Sequence, residues 1–76
     1  MQRCEVYLQL QAEVQHCLQK LNEVTTRQLE AFRARDFEGF THYDLVLEQT
    51  FGQKERAVGA LRQHAREHNC QAPANL

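Results

Sequence analysis

Along the first half of the chain Tyr7, Leu10, Val14, Cys17, Leu21, Val24, Gln28 and Ala31 recur at alternating steps of three and four. That rhythm holds one face of a 3.6-residue helix in a single direction, and Cys4, Leu18, Thr25 and Phe32 widen the stripe on one flank. It predicts a helix over residues 3–34. The second half repeats the rule in Phe37, Phe40, Asp44, Leu47, Phe51, Lys54, Val58, Leu61, Ala65 and His68, which predicts a helix over residues 37–69. Between the two, Arg35-Asp36 reads as a short connection with Asp36 as N-cap, its carboxylate accepting from the open N–H groups of the next turn.

The expected fold class is therefore all-α, an antiparallel two-helix hairpin. Folding one helix back about Asp36 sets Phe32 beside Phe40, Leu21 beside Phe51, Val14 beside Val58, Tyr7 beside Ala65 and Cys4 beside His68. Asp44 opposite Gln28 and Lys54 opposite Leu18 are polar intrusions that fix register at some cost in stability, with snorkelling to water an equal expectation for Lys54. A rival reading takes Thr50-Phe51-Gly52-Gln53 as a capping box and breaks the second helix near Gly52, giving a monomeric three-helix bundle. The apolar phase runs through Leu47, Phe51, Lys54 and Val58 without a slip, which favours one unbroken helix.

A chain of 76 residues forms one domain at most. At this size only roughly 60–65% of the unfolded surface is buried, so a hairpin needs further support from oligomerisation, a disulfide or a metal. Residues 1–70 are assigned to the hairpin domain. Residues 71–76, which hold the single proline, lack periodicity and are expected to fray. The second helix also carries Leu45 and Val46 off its main stripe, with Gly52 and Gly59 one and two heptads after Leu45 and Ala57 and Ala60 beside them. A glycine inside an exposed helix costs about 1 kcal/mol relative to alanine, so Leu45, Gly52 and Gly59 are expected at a dimer interface where another backbone comes close. The expected assembly is a homodimeric four-helix bundle.

Charge narrows the partners. Nine Lys plus Arg against ten Asp plus Glu leave no basic field of the kind nucleic acid requires. Lys54, Arg56, Arg62 and Arg66 alternate with Glu55 and Glu67, the pattern of a solvated face. Apolar runs such as Leu45-Val46-Leu47 fall far short of the roughly 20 residues of a membrane span, and the start of the sequence has no apolar signal core. The expectation is a soluble cytoplasmic protein that binds neither nucleic acid nor membrane.

The candidate chemistry gathers at the paired helix ends. His64 and His68 stand four apart on one helical face, a spacing by which two imidazoles grip one metal. Cys4 and Cys70 would complete a two-cysteine, two-histidine set suited to zinc. Two simpler readings compete: a Cys4 to Cys70 disulfide clipping the ends, and histidines complementing the negative pole of the helix. Glu13 and His16 match the Glu-x-x-His step of di-iron bundles, with Glu55 near their level, yet Val14 and Cys17 hold the apolar stripe there. Cys17 reads as a buried hydrophobe and is expected to stay a free thiol. No nucleophile with a base, no phosphate loop and no paired carboxylates can be drawn, so no catalytic residue is assigned and no enzyme is expected. The leading expectation is a non-enzymatic interaction or self-association module with an unidentified protein partner and no cofactor. The alternative is a zinc-type metal-binding or thiol-redox protein.

Overall fold

Two helices account for the described chain, α1 over Gln2–Arg33 and α2 over Phe37–His68. This computed structural model describes the backbone of residues 2–68 and the side chains of residues 5–67. The helices run antiparallel against each other as the periodicity predicts. Each falls within two residues of its expected bounds.

The connection explains why α1 stops where it does. Arg35 turns left-handed, with φ 60°. With that reversal the Asp36 N–H donates to the Ala31 carbonyl at 2.8 Å and the Arg35 N–H to the Phe32 carbonyl at 3.1 Å, the paired bonds of a Schellman ending. Asp36 then caps α2 as expected. Its Oδ1 accepts from the Gly39 N–H at 3.0 Å, and its carbonyl accepts the Phe40 N–H at 2.9 Å. A Cβ at Gly39 would run into the Asp36 carboxylate, so glycine at this position leaves the cap its room.

α2 is continuous through Gly52, which corrects the three-helix alternative. The Thr50 hydroxyl opens no new helix. It donates to the Val46 carbonyl at 2.8 Å within the same one and is only 1% exposed.

On α1 all eight stripe positions, Tyr7 through Ala31, are buried or half-buried as the pattern predicts. On α2 the stripe is corrected. Phe40, Leu47, Lys54 and Leu61 face inward, but the alternate positions belong to Tyr43, Thr50, Ala57 and His64. Asp44, Phe51 and Phe37 lie exposed, while Val58 and Ala65 are only half-buried. The two candidate sets differ by one residue, about 100° around the helix. Thr50 and Ala57 are small, so turning them inward lets the axes approach, whereas Phe51 in that place would hold them apart.

The tightest packing lies toward the open end, where Tyr7 and Leu61 are 4% and 1% exposed and Leu10, Val14 and Ala65 pack against them. The expected neighbourhood of Tyr7 and Ala65 is thus present. At the closed end the rings of Phe32 and Phe40 meet with centroids 5.8 Å apart, and the Gln28 amide donates to the Asp44 carboxylate at 3.3 Å, both as the register predicts. The molecule measures 51 × 19 × 16 Å, with a radius of gyration of 15.9 Å. A compact domain of this length has about 11 Å.

Candidate functional site

The hairpin has two unlike edges, because in an antiparallel pair the residues that follow each inward position line one edge and those that precede it line the other. The first edge is aromatic. Phe32 of α1 and Phe37 of α2 border a common cleft beside the connection and are 57% and 59% exposed. Leu18 and Phe51 continue the edge at mid-length, each about half in water. Lys54 leaves its inward position to place its ammonium 4.4 Å from the centre of the Phe51 ring and 3.2 Å from Glu55 Oε1. This is the snorkelling expected of it, with the cation resting on an aromatic face.

The second edge is hollow. A groove of about 530 Å³ runs between the helices, with Ala57 and Ala60 on one wall and Glu13, His16 and Cys17 on the other, and Arg56 at its margin. It exists because alanines stop short of filling the space that larger residues fill on the aromatic edge. Its chemistry is sparse. Cys17 is a buried free thiol, as expected, while Glu13 and His16 are exposed and Glu55 is engaged with Lys54. Among the described residues no three His, Cys, Asp or Glu side chains stand together as metal ligands, so Glu13, His16 and Glu55 do not form such a group within one chain.

At the open end the His64 ring stacks on Tyr7 with centroids 6.2 Å apart and an interplanar angle of 25°. His64 is half-buried on the inward face of α2. Beyond this pair the helical backbones carry Cys4 and His68 toward the same end, each about one turn further. The side chains of Cys4 and His68 and the whole of Cys70 lie outside the described residues, so the zinc set and the Cys4 to Cys70 disulfide rest on groups the structure does not describe. One polar atom there is notable. The Tyr7 hydroxyl is buried without a hydrogen-bond partner among the described residues.

The three residues expected at a dimer interface sit on the back of α2, away from α1. Leu45 and Gly59 are exposed and Gly52 is half-buried. A Cβ built on Gly59 meets nothing within 4 Å, and one on Gly52 meets only Arg56 Nη1 at 3.6 Å. Glycine is thus not required at Gly59 by packing within the chain.

Among the described residues no helix is long and apolar enough to cross a membrane. The fold defines a class, the antiparallel helical hairpin with one apolar and one grooved edge. Comparison with protein-family models finds no match, and comparisons with curated proteins and with solved structures find none either.

Proposed function

We propose that this chain is a non-enzymatic interaction module, a helical hairpin that self-associates into a homodimeric four-helix bundle and offers a helical face to a protein partner. One observation carries the reading. Among the described residues the apolar side chains the hairpin buries are Tyr7, Cys17, Val24, Ala31, Ala57 and Leu61, mostly small, while eight large apolar ones stay 43% to 62% exposed. Isolated exposed leucines are ordinary, but so many against so thin a core mark surface that a partner covers. Sedimentation equilibrium from about 1 to 500 μM tests it, the expected mass being twice the chain's 8.9 kDa. A folded, cooperatively melting monomer across that range would contradict the reading.

A second reading, metal binding of the zinc type or thiol redox chemistry, draws support from the Tyr7 and His64 pair, beyond which Cys4 and His68 continue toward one end. Elemental analysis with a thiol count on purified protein tests it. One zinc per chain, or a pair of thiols lost on mild oxidation, would favour it. Three free thiols without metal would remove it.

A further inference from the structure

We infer that the hairpin's partner on its aromatic edge is a second copy of the same chain, packed with the two connections at opposite poles and the Leu18 and Phe51 level on the two-fold axis. This rests on the self-association reading and specifies its surface and symmetry. Six of the eight exposed large apolar residues, Leu8, Leu18, Leu29, Phe32, Phe37 and Phe51, lie on the aromatic edge or the adjoining shoulder of α1. At 46% to 62% exposure they leave on the order of 600 Å² in water, the upper end of what the largest apolar patch of an ordinary monomer reaches. Two such faces buried together give about 1,200 Å², where stable specific interfaces begin.

The spacing of these residues selects the symmetry. Leu8 stands ten residues before Leu18 and Leu29 eleven after it, close to three helical turns either way. Leu18 on α1 and Phe51 on α2 both lie near mid-length of the hairpin. A two-fold axis lying in the plane of the interface and running across the helices at this level brings Leu8 of one copy against Leu29 of the other, and the reverse, with α1 on α1 and α2 on α2. The same rotation carries Ala65, fourteen residues after Phe51, toward Phe37, fourteen before it, pairing a small side chain with a large one. Asp44 and Arg62 are both exposed and flank Phe51 on opposite sides along α2. The rotation therefore brings a carboxylate toward a guanidinium. With the connections at the same pole, α1 of one copy would lie against α2 of the other, Phe32 would face Phe37, and Leu8 and Leu29 would stand at opposite poles.

Full-length variants decide this, with Cys4, Cys17 and Cys70 replaced by alanine in those used for cross-linking. Leu18→Cys should form a disulfide dimer with itself. Leu8→Cys and Leu29→Cys should each remain largely monomeric in oxidising gels yet cross-link when mixed. The double variant Leu18→Glu with Phe51→Glu should weaken association about a hundredfold or more, since it buries two charges per chain at the centre of the face. Leu18→Ser with Phe51→Ser is a gentler version, read alongside circular dichroism so that loss of folding is not mistaken for loss of contact. A wild-type dimer that persists in these variants but is lost on Gly59→Leu would overturn the aromatic face while leaving self-association standing. Leu8→Cys linking to itself more readily than to Leu29→Cys would overturn the symmetry. A wild-type chain monomeric at every concentration would overturn both this inference and the reading beneath it.

Discussion

The Gln28 side-chain amide reaches across the hairpin to two acceptors on α2, the Phe40 carbonyl at 3.4 Å and the Asp44 carboxylate at 3.3 Å. It is the one polar residue on the inward stripe of α1, and it ties the helices together one turn from the connection. Replacing it with leucine should raise stability by about 1 kcal/mol, because a half-buried amide gives way to apolar packing, while relaxing the choice of register. Chemical denaturation would show the gain. The relaxation should appear as doubled resonances for residues near Asp44 in an amide spectrum, and a single sharp set would remove the role assigned to Gln28.

The turn makes two opposite predictions at neighbouring positions. Asp36→Ala removes the carboxylate that accepts from Gly39 and should cost about 1 kcal/mol. Arg35→Gly should add about 1 kcal/mol, because glycine adopts the left-handed backbone without the Cβ clash that arginine carries there. Thermal melts of the two variants against wild type should bracket it. A destabilised Arg35→Gly chain would mean that the arginine side chain contributes something its backbone position does not reveal.

Tyr7→Phe should leave the fold intact and raise its stability by about 1 kcal/mol, since it deletes a buried hydroxyl that has no partner among the described residues while keeping the ring against His64. If the variant is instead less stable, the hydroxyl contributes a hydrogen bond to a group outside the described residues.

Leu61→Ala should be among the most damaging single changes, about 2 to 5 kcal/mol, because Leu61 is 1% exposed and anchors the packing around Tyr7. In a hairpin this thin the variant should be largely unfolded at room temperature. A far-ultraviolet spectrum retaining full helicity would refute the placement of the core at the open end.

How much of this was legible in the sequence varies by helix. On α1 the stripe could be read residue by residue, because apolar side chains occupy nearly every inward position and polar ones surround them. On α2 the phase was ambiguous by one residue. Tyr43, Thr50, Ala57 and His64 alternate with Asp44, Phe51, Val58 and Ala65, and hydrophobicity alone favours the second set. What turned the helix was size: close approach rewards Thr50 and Ala57, and the threonine hydroxyl is satisfied within its own helix at Val46. The cap at Asp36 was legible from residue type. The left-handed Arg35 was not, since arginine carries no mark of that conformation. The alanine-lined groove was hidden for the same reason as the shift of α2, because it depends on which edge Ala57 and Ala60 face. The aromatic edge was half visible, with Leu18 and Phe32 seen as flanks of the α1 stripe but Phe51 assigned to the interior.

The antiparallel return of α2 along α1 also sets how the molecule bears a load. Tension applied between residues 2 and 68 acts on neighbouring strands of a fork, not along two sliding rods. The Tyr7 and His64 layer would part first, and each later layer would carry the full force alone. Such a hairpin yields by peeling, at low force and in small steps, until the clasp at Gln28 and the turn at Arg35 are reached. Gripped from one pole the fold is a zip fastener, and a second copy laid across its middle with reversed polarity would be the stop that keeps it closed.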